Sequence, residues 1–301
     1  MSARVAALPS LMVAMLFVNP VEVSPVGDAD ALIARIPPRP DGAPSGSEFI
    51  RTVTGLAPRD REVEIYHQLA SGNLPDFLRH LKPVSLEAVV PGKGRVRARV
   101  WVMPDYLAIG SNRDFVRIPM DYYTAVALGR EWGFLLPTRK IVDAIYNQAD
   151  VRVQPSPMKP GPKMRSSPYY LTHNSTIEHQ LSGTGDRSQL VAGHKKDLVL
   201  TNRLWTRRAR VAIYGWHLRR GQVIQPLSTV HGGTYADYSH GVRLISDWME
   251  VDGKQASTVA VLQDPKLARL LTSEGTIRNV EGLMSLPPPQ DWAFKTSSTG
   301  D

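Results

Sequence analysis

The 301-residue chain contains no cysteine. Disulfides, thiolate metal sites and thiol nucleophiles are therefore excluded, and any bound metal must take His, Asp, Glu or water as ligand. Long apolar runs are also missing. The one at residues 5–18 is interrupted by Pro9 and Ser10 and is too short for a membrane span, so no stable span is expected beyond an N-terminal signal. There is no HExxH, no GxSxG and no internal repeat, which removes the common zinc-peptidase and serine-hydrolase signatures. Acidic residues are outnumbered, 28 against 36 Lys and Arg, for a formal net charge of +8. The basic residues are scattered in small clusters with no basic arm or aromatic-interleaved stripe, which argues against nucleic acid and fits an anionic polymer such as cell-wall material.

What is present suits a folded α+β protein. Apolar content is 42%, and the 24 prolines and 23 glycines favour strands and loops over a helical bundle. One arginine followed by the apolar run reads as a secretory signal over residues 1–20, so the chain is expected to be secreted or periplasmic. Residues 21–46, rich in Pro, Gly, Ala and Asp, read as a linker with one helical turn near its end. A helical and mixed front half follows over residues 47–152, then a proline-rich break, then a sheet-rich back half over residues 165–285 and a loose tail at 286–301. The break either joins two domains or crosses over one.

Within the front half, apolar periodicity predicts helices over residues 59–70, 75–81, 122–132 and 139–149, the last two closed by Gly133 and opened by Thr138. Residues 95–103 alternate basic and apolar side chains, as a strand with one wet face does. Residues 106–110 and 115–118 form a hairpin pattern. In the back half, a helix is expected over 172–181 and strands over 197–201, 210–214 and 242–246. Asp252-Gly253 marks a hairpin between residues 248–251 and 255–259, and a closing helix is expected over 265–272.

Chemistry concentrates in residues 211–246, which hold three of the eight histidines, His217, His231 and His240, together with Asp237 and the rings of Tyr214, Trp216, Tyr235 and Tyr238. Neutral imidazoles and a carboxylate are the ligands a cysteine-free protein would offer zinc, so His217, His231, Asp237 and His240 are candidate metal ligands, with a loose likeness to the His and Asp pair of D-alanyl-D-alanine metallopeptidases. Without metal, His231 or His240 serves as general base, oriented by Asp237. Trp216, Tyr235, Tyr238 and Lys195 are candidate substrate-binding residues, Lys195 from a second polar cluster that also holds His194.

Ser239-His240-Gly241-Val242-Arg243-Leu244 resembles the catalytic signature of the L,D-transpeptidases; in that family an upstream His-Gly also contributes, and His231-Gly232 stands in a comparable place. That resemblance implies a mostly β catalytic domain acting on peptidoglycan stem peptides, with Arg243 near the substrate. The family's nucleophilic cysteine is deleted between Gly241 and Val242, so the resemblance does not carry the thiol mechanism over.

Taken together, these features predict an exported bacterial hydrolase or transferase acting on an envelope or extracellular polymer, with peptide or amide cleavage preferred. His231, His240, Asp237 and Arg243 are its catalytic residues, Arg243 as a carboxylate clamp or oxyanion stabiliser. The alternative is a non-catalytic carbohydrate or cell-wall binding protein, whose recognition surface would be an exposed platform of the same aromatic rings.

Overall fold

The structure, a computed structural model, describes residues 32–287. The expected signal at 1–20 and most of the expected tail lie outside the described residues. The fold is α+β.

The chain enters through a core-bound turn. Leu32 and Ile36 are buried, and Arg39 donates to Asn73 at 2.9 Å, so this part of the expected linker is packed structure. α1 (Gly46–Val53) opens with a capping box in which Ser45 and Glu48 satisfy each other's backbone N–H. α2 (Pro58–Ala70) starts on a proline at its first turn, where no N–H is needed. The expected helix over 75–81 is a single 3-10 turn, Asp76–Arg79.

Next come β1 (Lys82–Val90) and β2 (Gly94–Val102), an antiparallel hairpin. On β2, Arg95, Arg97 and Arg99 face solvent while Val96, Ala98, Val100 and Val102 face the core. β3 (Ala108–Gly110) and β4 (Phe115–Arg117) form the second hairpin. α3 (Tyr122–Trp132) is capped by Asp121, which accepts from Thr124 N–H at 2.7 Å, and ends on left-handed Gly133. β5 (Phe134–Leu135) leads to α4 (Arg139–Gln148), whose buried stripe is Ile141, Val142, Ile145 and Tyr146.

β6 (Val151–Arg152) precedes the proline-rich stretch. α5 (Ser167–Gln180) starts five residues earlier than expected, with a proline in its first turn, and buries Tyr170, His173, Asn174 and Ile177 on one face. β7 (Val191–Ala192), β8 (Lys196–Leu198), α6 (Arg203–Thr206), β9 (Ile213–His217), β10 (Val223–Ser228) and β11 (His240–Gly241) follow. The last third holds β12 (Ile245–Val251), β13 (Lys254–Ser257), α7 (Thr258–Gln263) and α8 (Val280–Leu283). Asp252 and Gly253, both at positive φ, make the β12–β13 turn as expected, whereas the expected helix over 265–272 shrinks to a 3-10 turn at Ala268–Leu270.

The main sheet runs β1-β2-β12-β13, with β5 also on β12. Its strands come from both sides of the proline-rich stretch, which therefore crosses over one body. One apolar core, from Leu32 to Met284, unites the two halves. A second sheet, β10-β9-β8-β11, positions the site. In it β11 lies parallel to β8, with His240 opposite Lys196 and Gly241 opposite Asp197.

That parallel pairing explains Gly241. A Cβ there would stand 2.6 Å from a Tyr106 ring carbon and 2.8 Å from the Lys195 Cβ, and the Tyr106 ring is held by its hydroxyl's 2.9 Å bond to Asp197. Gly232, in the other His-Gly pair, has no neighbour closer than 4.0 Å. Gly241→Ala is expected to cost about 1–3 kcal/mol by overpacking, and Gly232→Ala less than about 0.5 kcal/mol. Denaturant midpoints measure both, and equal losses would remove the packing explanation.

Candidate functional site

The segment between β10 and β11 is pinned by backbone bonds to three regions. Gly233 N–H donates to Ala209 O at 2.7 Å, Gly233 O accepts from Tyr122 N–H at 2.9 Å, and Tyr238 N–H donates to Met164 O at 3.0 Å. At Gly233 a Cβ would meet the Tyr123 ring at 2.8–2.9 Å, so only glycine lets the segment close on α3. Tyr170 on α5 adds a side-chain tie, its hydroxyl donating to Ala236 O at 3.1 Å.

This anchoring brings His231, Tyr235, Asp237, Ser239 and His240 together. His231 stacks on Tyr235, with centroids 4.1 Å apart and planes at 6°. His240 lies beneath both rings, 6.0 Å from His231 and 5.6 Å from Tyr235. Asp237 is buried and receives three bonds: the Ser239 N–H (2.8 Å) and hydroxyl (2.6 Å) on Oδ1, and the Tyr235 hydroxyl (3.0 Å) on Oδ2. Its Oδ2 lies 4.0 Å from His240 Nε2. His240 is 0% exposed, and neither ring nitrogen has a hydrogen-bond partner. Burial pushes its imidazole below the ordinary range, with Asp237 pulling the other way. Burial would raise the Asp237 carboxyl, but the His240 ring and the Ser239 hydrogen bonds hold it low. The pair at neutral pH is thus a carboxylate beside a neutral imidazole.

Three expected site residues stand elsewhere. His217 points away, its Nε2 3.0 Å from Asp143 Oδ1 and its ring stacked on Tyr146 at 4.4 Å. The four expected zinc ligands are therefore not gathered, and among the described residues no three His, Asp or Glu side chains converge as a metal-ligand set. Arg243 is 0% exposed and donates to Met103 O (2.7 Å) and Val191 O (2.5 Å) beneath the Tyr106 ring. It ties backbone segments together and does not face His240 as a clamp. Lys195 is buried too, donating to Tyr238 O at 2.7 Å, and burial with Arg117 nearby lowers it to about 7.

The next residue takes the position expected of Lys195. Side chains alternate along the chain into β8, so Lys196 emerges on the other side, its Nζ 4.8 Å from the centroid of the Trp216 ring and partly exposed. Trp216 itself is buried, held at φ 59° in a region rarely adopted by a tryptophan, with its Nε1–H donating to His194 O at 3.2 Å. Tyr238 is buried as well, and its hydroxyl accepts from Met158 N–H at 2.8 Å. Arg165 was not anticipated at all. It closes the 3-10 turn Pro162–Arg165 just after the proline-rich stretch, and its guanidinium carbon stands 5.0 Å from the Tyr235 ring centroid. Tyr235 is thus shared by His231, which stacks on it, and by the Arg165 guanidinium.

A buried ionic cluster supports the site from behind. Arg117 donates twice to Asp105 Oδ2 (2.8 and 2.6 Å) and once to Glu178 (2.7 Å), and His194 Nε2 meets Asp105 Oδ1 at 3.1 Å. Burial would raise Asp105, but the Arg117 guanidinium and His194 outweigh it and hold the carboxyl well below its usual range. Burial lowers His194 to about 4, against the pull of Asp105.

Two surface hollows, of ≈ 390 and ≈ 520 Å³, lie over the main sheet, one along Glu87, Arg97 and Arg99, the other along Arg35, Asp247 and Gln255. Neither touches the His240 cluster, of which His231 and Tyr235 are partly exposed, as are Lys196 and Arg165 beside it. No known family, curated protein or solved structure matches the chain.

Proposed function

We propose that the protein is an exported hydrolase or transferase that cleaves amide or ester bonds in an envelope polymer, amide preferred, with His240 as general base. The observation that carries this reading is a fully buried imidazole with two unpartnered nitrogens beside an ionised, threefold hydrogen-bonded carboxylate. Desolvating an imidazole without giving it a partner is costly. A group so placed stays neutral at neutral pH, the form in which an imidazole can act as a base.

In this mechanism His240 takes a proton from the attacking water or hydroxyl and returns it to the leaving group. Asp237 stabilises the imidazolium as it forms, and the Ser239 and Tyr235 bonds keep its carboxylate ionised and oriented. Ser239 Oγ spends its proton on Asp237, so it acts as a positioning residue. The binding-protein reading is less well supported: Trp216 and Tyr238 are buried, and the Tyr214 hydroxyl donates to Asp143, so no exposed aromatic platform forms. The apolar run at residues 5–18 and the net charge of +8 support the envelope setting.

The test is incubation of the full chain with purified peptidoglycan sacculi, reading soluble fragments and new amine or carboxyl ends. Retention without cleavage would make the protein a binder. If cleavage occurs, the sign of its pH dependence is set. Because burial disfavours the charged imidazole, His240 stays neutral to lower pH than a free histidine. The acid limb of kcat/KM is therefore expected below the ordinary imidazole value of about 6.5. In Asp237→Asn the limb moves lower still, since the carboxylate that favours the imidazolium is gone. A limb at or above about 6.5 in the native protein would sink the assignment of His240.

A further inference from the structure

Beside the His240 cluster stand two cations that form no ion pair among the described residues. Lys196 Nζ rests 4.8 Å from the Trp216 ring centroid, and the Arg165 guanidinium 5.0 Å from that of Tyr235. Among the described residues neither side chain has a hydrogen bond or ion pair, and Arg165 Nε is buried without a partner. Other buried or half-buried arginines here are spoken for: Arg117 by Asp105 and Glu178, Arg243 by two carbonyls, Arg61 by Arg165 O and Tyr170. Asp237 acts on Lys196 through its charge, but its oxygens are taken up by Ser239 and Tyr235 and it forms no ion pair with either cation.

Both cations are also held in place. A ring face fixes each head group by cation–π contact while leaving its N–H donors free to bond outward. Lys196 is opposite His240 in the β8–β11 pairing, and Arg165 shares Tyr235 with His231. Donors poised in this way, around a buried imidazole with no partner, form a receptor for negatively charged oxygen atoms.

We propose that Lys196 and Arg165 bind a carboxylate of the polymer next to the bond that His240 attacks, which makes acidic strands the substrate class and these two residues its specificity determinants. The inference rests on the reading of His240 as the reacting base only for where the carboxylate sits along the substrate; the binding itself can be tested apart from any activity. It replaces the expected roles of Arg243 and Lys195, whose charges are consumed inside the fold.

Retention of the full chain on peptidoglycan sacculi tests this, using native sacculi and sacculi whose carboxyls have been converted to neutral amides. Lys196→Met and Arg165→Met are each expected to weaken retention about tenfold, as loss of one charge-assisted bond does. The double variant on native sacculi should behave like the native protein on amidated sacculi, and Lys196→Arg and Arg165→Lys should recover most of the loss. Arg97→Met with Arg113→Met, which removes two exposed charges elsewhere, should change retention less than twofold. The proposal is overturned if the native protein is not retained, if amidation makes no difference, or if that distant pair weakens binding as much as the site pair. His240→Gln, assayed in parallel, should keep full retention while losing cleavage. Were it to keep cleavage, the catalytic reading would fall while the carboxylate site stood.

Discussion

Arg117→Met is expected to destabilise the protein by about 3–5 kcal/mol, the usual cost of breaking a buried pair from one side. Methionine fills much of the volume but leaves Asp105, 2% exposed, without its ion-pair partner, bonded by His194 and the Tyr106 N–H and with the Lys195 charge nearby. Glu178, the other partner, is partly exposed and keeps its bond to Arg187 at 2.6 Å, so it adds little to the loss. The deficit should shrink at low pH. Without the guanidinium, burial raises the Asp105 carboxyl above its unfolded value, and such a group penalises the fold increasingly as pH rises through the folded pKa. Adding Asp105→Asn should recover a large part of the loss at neutral pH, since a neutral amide costs less to bury than a lone carboxylate. Urea unfolding of the two single variants and the double variant measures the coupling. A loss under about 1 kcal/mol for Arg117→Met would show that the cluster is hydrated and contributes little.

His240→Gln is expected to lower kcat by roughly 10²–10⁴, the usual contribution of a positioned general base. Glutamine approximates the ring's length and polarity but cannot cycle a proton. Stability should hold or rise slightly, because the imidazole makes no hydrogen bond that the amide could lose. That combination separates catalysis from scaffolding. A structural His240 would show a lower melting temperature with activity proportional to the folded fraction, and an unaltered kcat in a stable variant would end its role as the base. His231→Ala should be milder, since His231 is partly exposed and touches His240 only at 6.0 Å between centroids.

The local signals in the sequence carried far. α3 and α4 fall where their apolar stripes and the Thr138 and Gly133 caps put them, within a residue, and the two turn-defined hairpins are present. β1 went unread because Pro83, Glu87 and the exposed Val89 blur its alternation, and its partner β2 is what makes it a strand. At the site, the 231–240 cluster was legible because its residues are close in sequence. What was not legible depends on distant partners: Asp143 decides the direction of His217, while Met103 and Val191 decide that Arg243 is a tie and not a clamp. Lys195 and Lys196 differ only in which face of the chain they take, which no composition records. Arg165 follows directly on the prolines that read as a break, with no sequence signal of its contact with Tyr235.

The route of the main sheet has a consequence for biosynthesis. β2 pairs on one side with β1, its immediate neighbour, but on the other with β12, where Val100 meets Met249. On a ribosome adding about 5–20 residues per second, that partner emerges on the order of ten seconds later. Until then the β1–β2 hairpin has an open edge and an uncovered apolar face. Arg95, Arg97 and Arg99, set against the single Glu87 that pairs with Arg95, then act as gatekeepers that leave this strand net positive, so that two nascent copies repel one another instead of pairing. The same non-local pairing makes the fold a slow one to reach, and fragments ending at the proline-rich crossing would leave β2 without its second neighbour.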